Sequence, residues 1–409
     1  MQTKIHQNFQ SLPGIDEAKS IIGNCVHCGF CTAVCPTYQQ LFDERDGPRG
    51  RIYLIKQLLE GGKVTERTRI HLDRCLTCRS CETTCPSGVH YGRLIDFGRA
   101  LLEEQLPRPA VARLIRWALR KILPYKGRFG LLLWAGQLVR PVMPGALKKT
   151  IPPKQRPLPW PAASHPRIML ALEGCAQPAA TPNTHIAAAR VLDRLGVTLV
   201  TAPSAGCCGA VSYHLGAHDE GTAAFKRNID AWWPAIEQGA EAIVISASGC
   251  GSVVKEYGEL LKDDAAAYAE KAVRVSALAK DLSEVMAAED LSQLQLSSAN
   301  KEKMAFHCPC SLQHGQQLSG VVEDILQRLG FDLAQTRDKH HCCGSAGTYS
   351  ILQPKLSQQL LKGKLDALTV DNPEVIATAN IGCQLHLGTA SKVPVRHWIE
   401  LVEQALPKE

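Results

Sequence analysis

No stretch of this 409-residue chain is apolar for long enough to cross a bilayer. The longest candidate, residues 129–139, is 11 residues long and is interrupted by Gln137, whereas a spanning helix takes about 20. The opening MQTKIHQNFQ is polar and lacks the basic-then-apolar pattern of an export signal. These two absences predict a peripheral protein on the cytoplasmic side of a membrane, without a transmembrane helix. No G-x-G-x-x-G fingerprint, P-loop or metalloprotease helix occurs, so the sequence offers no motif for dinucleotide binding, nucleotide hydrolysis or zinc proteolysis. Acid is also missing locally. Residues 105–172 contain no Asp or Glu but thirteen Lys or Arg. That segment carries +13 against a whole-chain charge of +7, leaving the remainder at −6. Basicity is therefore a regional feature. Elsewhere the balance, 45% hydrophobic and 21% charged, is that of a globular protein and excludes disorder. The length suffices for two to four domains, each with its own core.

What the chain has in excess is cysteine, seventeen in all. Where thiols are kept reduced, disulfides are disfavoured, so grouped cysteines point to metal binding or redox work. They fall into two internal repeats. The first is Cys25-Val-His-Cys28-Gly-Phe-Cys31-Thr-Ala-Val-Cys35-Pro36, echoed by Cys75-Leu-Thr-Cys78-Arg-Ser-Cys81-Glu-Thr-Thr-Cys85-Pro86. The second sets Cys175, Cys207-Cys208-Gly209 and Cys250 against Cys310, Cys342-Cys343-Gly344 and Cys383. Its first interval is 32 positions in both copies and its second is 42 and 40, which argues for a duplicated domain.

The C-x2-C-x2-C-x3-C-P run is the spacing that holds [4Fe-4S] clusters. Three thiolates of one run bind one cube and the fourth serves the other cube. The pattern therefore assigns Cys25, Cys28, Cys31 and Cys85 to one cluster, and Cys75, Cys78, Cys81 and Cys35 to a second. The competing readings are structural zinc and a thioredoxin-like pair, but two complete four-cysteine runs, each closed by proline, fit clusters better. Lys and Arg beside the runs (Arg51, Arg74, Arg79) would favour the reduced, more negative state. His27, His71, His90, His214, His340 and His341 lie near the motifs and read as surface or supporting residues.

Helical periodicity over 49–61, ending on Gly-Gly, predicts an α-helical ferredoxin over residues 15–105. Residues 111–123 read as a helix with Arg113, Arg116 and Arg120 on one face and Ile115, Ala118, Leu119 and Ile122 on another. With a Pro-rich stretch over 151–166, they make residues 106–165 a basic connector and linker. Strand signatures at 167–172, 197–201, 242–246 and 375–379, with a helix over 185–195, predict α/β units over 166–285 and 300–405. Residues 276–301 read as a helix and loop between them. The fold class is thus multidomain, α followed by duplicated α/β. The basic connector suits an anionic membrane surface or an acidic partner, with packing on the ferredoxin core as the bland reading. Nucleic acid is disfavoured, since no base-reading motif accompanies the charge.

Cys-Cys-Gly between more distant cysteines resembles the cysteine-rich CCG domain of heterodisulfide reductase and its relatives, in which C…CCG…C-x2-C holds an unusual iron–sulfur cluster or a zinc. Both copies here depart from that pattern. Cys250-Gly-Ser-Val253 lacks the last cysteine and Cys383-Gln-Leu-His386 has histidine there. The resemblance leaves Cys175, Cys207, Cys208 and Cys250, and Cys310, Cys342, Cys343 and Cys383 with His386, as further metal sets, or as vestigial thiols on a scaffold. Cys308 is a spare ligand or a structural thiol. The segments DGPRGRIYLIKQLLEG, HLDRCLTCRSCETTCPSGV, LEGCAQP, NIDAWWPAIE, FHCPCSLQH, CCGSAGTY and VRHWIELVEQAL resemble the glycolate oxidase iron–sulfur subunit family. That resemblance implies electron relay from an FAD-containing partner, which oxidises glycolate or D-lactate, toward quinone at the inner membrane. Equivalent subunits of lactate or glycerol-3-phosphate dehydrogenases, a CCG thiol–disulfide reductase and a zinc-stabilised scaffold are the alternatives.

Overall fold

In a computed structural model that describes residues 1–296 and 302–407, no strand precedes Arg167, and seven short strands lie beyond it among the described residues. The helix expected over 49–61 runs Pro48–Leu59. Proline at its first position removes a backbone donor that would be unpaired there anyway. At its other end Gly61 is left-handed (φ +84°), with Gly61 N–H to Leu58 O at 3.0 Å and Gly62 N–H to Gln57 O at 2.9 Å. This is the paired closure that glycine allows. The helix buries Ile52, Ile55, Leu58 and Leu59 with Leu94, Ile95, Leu101 and Leu102 of helix Tyr91–Gln105 and Ala18, Ile21 and Ile22 of helix Ile15–Asn24. Those helices frame both cysteine runs.

The next segment is helical as well, in Ala110–Ile122, Lys126–Val139 and Gly145–Thr150. Neither of the two longer helices has a buried residue. Residues 151–166 contain no helix or strand and lie along the first α/β unit, with Trp160 Nε1 donating to Leu199 O at 3.2 Å.

The strands form two all-parallel sheets. One contains β1 (Arg167–Ala171), β2 (Val197–Thr201), β3 (Ile243–Ile245) and β4 (Ala279–Asp281), in the order β2-β1-β3-β4. The other contains β5 (Met304–His307), β6 (Val375–Thr378) and β7 (Val395–His397), in the order β5-β6-β7. A parallel bridge from Met304 to Leu333 occupies the position beside β5 that β2 occupies beside β1. The two sheets therefore share one plan. Of residues 276–301, the stretch expected to be helix and loop, the start completes a helix ending at Leu278, β4 comes next, and Leu282–Ala288 is helical. Residues 297–301 lie outside the described ones. The Trp232-Trp233 pair sits in the last turns of helix His218–Glu237, with Trp232 fully buried.

The two α/β units share a core. Val191 and Leu192 of helix Asn183–Arg194 pack in one cluster with Trp398, Ile399 and Val402 of helix Trp398–Ala405. Polar contacts complete the seam: His397 Nε2 is 2.8 Å from Ser246 O, and Ser248 N–H donates to Ala379 O at 3.1 Å.

After each cysteine pair the backbone turns left-handed, at Gly209 and Gly344 (φ +87° in both). A Cβ at Gly209 would lie 2.4 Å from Phe225 Cε1, and one at Gly344 2.6 Å from Ser357 O. Gly209→Ala is expected to destabilise the fold by roughly 2 kcal/mol or more through clash and strain together. Gly363→Ala is the control, because it lies in helix Pro354–Leu368 with nothing within 4 Å, and there alanine gains up to about 1 kcal/mol. Thermal melts of the two variants moving equally would refute the assignment.

Candidate metal centres

Both cysteine runs begin where a helix ends, Ile15–Asn24 before Cys25 and Glu66–Asp73 before Cys75. Each then passes through two left-handed residues at matching positions: His27 and Gly29 (φ +57° and +87°), and Thr77 and Arg79 (φ +53° and +60°). Three of the four are not glycine, and such backbone holds about 1–3 kcal/mol of strain per residue. Its recurrence at equivalent positions is the mark of loops shaped around something.

The loops enclose two cavities. The first, of about 420 Å³, is lined by Cys25, Cys28, Cys31 and Cys85, and also by Cys81. The second, of about 300 Å³, is lined by Cys35, Cys75, Cys78 and Cys81. Pro48, Cys81 and Tyr91 line both. Each cavity thus gathers three sulfurs from one run and the last cysteine of the other. The first opens to solvent: Cys28 is exposed, as are Val26 and Phe30 beside it. The second lies deeper, with Cys35, Cys75 and Cys81 buried.

The donor chemistry fits iron–sulfur clusters. Burial pushes the Cys31 thiol up to about 11, and the Cys25, Cys35 and Cys28 sulfurs add to that rise. Burial also raises Cys78 well above the ordinary thiol range, with Cys310 and Cys35 contributing. Four thiolates this close repel one another unless a metal-centred cation lies between them. Hydrogen-bond donors are present: Tyr91 OH to Cys75 Sγ at 3.5 Å and the Thr77 amide to the same sulfur at 3.4 Å; Thr37 Oγ1 lies 3.3 Å from Cys35 Sγ and itself donates to Asp46 O.

The cysteines of the α/β units gather at the carboxyl ends of the strands. Cys175 comes after β1, Cys207-Cys208 after β2 and Cys250 after β3; Cys310 comes after β5 and Cys383 after β6. In the order β2-β1-β3-β4 the chain reverses direction between β1 and β3, and the crevice at such a switch point is where open parallel sheets bind ligands. Cys207 interacts with Cys175 and Cys208, and Cys208 with Cys250. Cys342 likewise contacts Cys310 and Cys343, and Cys343 contacts Cys383. Cys207 is held well below the ordinary thiol range by its contacts with Cys175 and Cys208, helped by the Gly209 amide at 3.4 Å. The second set abuts the second cavity, where Leu76 and Cys78 pack with Cys310, Cys342 and Tyr349.

These features have counterparts in known proteins. The family described as "4Fe-4S dicluster domain" matches residues 21–89, and "Cysteine-rich domain" (CCG) matches 169–255 and 304–388. The chain is 55% identical over 410 residues to the glycolate oxidase iron–sulfur subunit of Escherichia coli K12, covering 100% of both chains. It is 30% identical over 419 residues to a probable glycolate oxidase iron–sulfur subunit of Bacillus subtilis, covering 93% of each. The chain belongs to the glycolate oxidase iron–sulfur subunit family. Lactate utilization protein A of Bacillus subtilis is 27% identical over 214 residues, 50% of this chain and 84% of that one. A hypothetical protein from Helicobacter pylori shares the fold at TM-score 0.57, with 11% identity, covering 98% of this chain and 76% of the other. As a member of the glycolate oxidase iron–sulfur subunit family, the chain is the iron–sulfur, electron-transferring component of an oxidoreductase complex.

Within this family member, sequence reasoning misses several residues and misassigns one. His386 does not join the second CCG set: its Nε2 is 3.0 Å from Ser357 Oγ. The histidine beside those thiols is His307. Cys308 is a buried core thiol, packed with Phe306 and Leu312, and burial raises it above the ordinary range. Arg51 is the larger omission, flagged only as one of three cations near the runs. Its side chain is 1% exposed, donates to His71 O (2.7 Å) and Thr37 Oγ1 (3.0 Å), and lies 3.5 Å from a carboxylate oxygen of Asp46, itself 0% exposed. His71 and Arg74 close on the same carboxylate at 3.1 and 2.9 Å.

Breaking a buried pair leaves an uncompensated charge, at about 3–5 kcal/mol. Arg51→Met is therefore expected to destabilise the N-terminal half by that order, and Asp46→Asn added to it to recover a substantial part. Strictly additive losses in urea titrations of the single and double variants would sink the coupling.

Proposed function

We propose that this chain is the electron-transfer subunit of a complex that oxidises glycolate, and also D-lactate, to the 2-oxo acid. In this reading Cys25, Cys28, Cys31 and Cys85 hold one [4Fe-4S] cluster, and Cys75, Cys78, Cys81 and Cys35 hold another. The observation that carries it is the crosswise grouping of sulfurs around two adjacent cavities. When bound, such clusters take up and release single electrons with little ligand rearrangement. A cluster accepts no hydride, so substrate oxidation belongs to an FAD-containing partner. The exposed rim of Val26, Cys28 and Phe30 is the face that suits such a partner. Around the deeper cavity, buried Arg51 interacts with Cys75 and Cys35 and favours added negative charge there. The full-length matches to glycolate oxidase subunits, against half-length matches to lactate utilization proteins, favour glycolate as substrate.

The connector supplies a membrane face. No helix of the described residues is long and apolar enough to cross a membrane. Its basic side turns inward more than its sequence suggests. Arg116 pairs with Asp73 at 3.2 Å, and Arg120 and Lys121 pair with Glu220 at 3.1 and 2.9 Å. What faces outward is apolar: Leu114, Trp117, Leu131, Leu132, Trp134, Leu138 and Val142 are all about half exposed or more. Exposed Arg113, Lys149 and Lys154 accompany them. An apolar patch of this extent, rimmed by cations, suits the interface of an anionic bilayer, on which quinone is the acceptor this reading implies.

The test of the relay is iron content and EPR of anaerobically purified protein. About eight irons are expected, falling to about four in both Cys28→Ser and Cys85→Ser, which remove the same signal, while Cys35→Ser removes the other. A full iron count in Cys28→Ser would overturn the ligand assignment. For the membrane face, the chain is expected to sediment with vesicles containing phosphatidylglycerol, less so at high salt, and to lose binding at least tenfold in Leu131→Glu/Trp134→Glu. Unchanged sedimentation of that variant would refute the docking face.

A further inference from the structure

His307 ends β5 and is fully buried, yet neither ring nitrogen has a hydrogen-bond partner among the described residues. An imidazole taken out of water with both nitrogens unpaired is unfavourable by a few kcal/mol unless something else binds it. The groups beside it are thiols. One ring nitrogen of His307, Cys343 Sγ and Cys383 Sγ all lie within 4.8 Å of one another, and all three residues are buried. Thr378, paired with His307 across the β5–β6 ladder, has a buried hydroxyl that also lacks a partner among the described residues. Unsatisfied polar atoms thus collect at the carboxyl ends of β5 and β6.

We propose that His307, Cys343 and Cys383 form a mixed nitrogen–sulfur site for one divalent zinc-class ion, in the second α/β unit alone. Imidazole and thiolate are the donor pair that zinc favours, and three protein donors leave its fourth position to an exogenous ligand. Charge fits as well. Two thiolates and a neutral imidazole around a dication leave no net charge to bury. Burial holds the His307 ring in its neutral, ligating form, with Lys364 adding to the effect. Asn380 Nδ2 donates to Cys383 Sγ at 3.4 Å, the kind of outer contact that orients a ligating sulfur. The first unit lacks the arrangement. Leu172 stands three residues before Cys175, as His307 stands three before Cys310, and a buried leucine there offers no donor.

The site would tie β5 to the Cys343 turn and to helix Ile381–Gly388 beyond β6. Cys342, next to Cys343, packs against Leu76 and Cys78 on the wall of the second cavity. The ion would thereby brace that wall without itself changing oxidation state.

The experiment is elemental analysis and zinc-edge X-ray absorption of the full chain, purified anaerobically from zinc-supplemented cells. One zinc per chain is expected besides the iron, with a nitrogen shell near ~2.0 Å and a sulfur shell near ~2.3 Å. His307→Leu, which installs the first unit's residue, is expected to lose zinc at least tenfold with iron unchanged. Because that variant could misfold, the wild-type chain is also to be titrated with Co2+ alone. A tetrahedral spectrum with thiolate charge transfer supports the site, and a hexa-aqua-like spectrum overturns it. Zinc-free wild type, extra iron in place of zinc, or zinc retained with its nitrogen shell in folded His307→Leu would each overturn it too.

Discussion

Negative charge on buried sulfur is the constraint around which the rest of this molecule is arranged. Sixteen of its seventeen cysteines lie in four sets of four, and most of those are buried or half-buried. Thiolates packed together in a medium of low effective dielectric are unstable without cations. The chain meets that demand at short range. Arg51 sits among Cys35, Cys75 and Tyr91, Arg227 near Cys207, and Lys364 near Cys310, Cys342 and Cys343. None of these three cations is adjacent in sequence to the sulfurs it serves. The fold exists in part to bring them there.

Two different scaffolds solve the same geometric problem of aiming several sulfurs at one point. In the N-terminal half, helices end abruptly and short loops with left-handed residues wrap round a cavity. In the α/β units the carboxyl ends of parallel strands do it, because every strand there stops at the same side of the sheet. The second scaffold is duplicated, and its copies have diverged in what lies beside the sulfurs. Leu172 is apolar where His307 is polar and unpaired, so shared cysteine spacing does not make the two sites equivalent. Their surroundings differ too: the second set abuts the ferredoxin-like cavity, whereas the first faces that half across the ion pair Arg79–Glu256 and the contact His214–Asp96.

How much of this is legible in the sequence depends on what local pattern can encode. The cluster-type spacing is local within each run, so the eight cysteines stand out directly and the proposed crosswise assignment follows from that spacing. The helix closing on Gly61-Gly62 and the strands at 197–201 and 375–379 are equally plain. β4 (Ala-Lys-Asp), β5 (Met-Ala-Phe-His) and β7 (Val-Arg-His) are not, because they lack a β-branched run such as the Val-Ile that opens β6. His386 attracts attention by standing where a family cysteine would be, but its helix carries it to Ser357. His307 carries no such signal; only the β5–β6 register and the path of the Cys343 turn bring it to the thiols. Arg51 reads as an ordinary helical cation until tertiary packing closes over it.

The connector shows how charge counting misleads when partners are distant in sequence. A segment with thirteen cations and no acid reads as a basic surface, yet Arg108, Arg116, Arg120, Lys121 and Lys126 reach acids outside the segment, at Asp73, Glu103, Glu220 and Glu173. The acids missing from the segment lie on the domains at either side of it. On helix Ala110–Ile122 ion pairs hold Arg116 and Arg120 toward the protein, Ala118, Leu119 and Ile122 are half-buried, and Val111, Leu114, Ile115 and Trp117 are left to solvent. The pairs Arg108–Asp73 and Arg116–Asp73 are largely buried and fix that orientation, while a contiguous apolar face in water is unfavourable in proportion to its area. In the proposed docking the ion pairs select which side faces outward, and cover of the apolar face by the bilayer would offset its exposure.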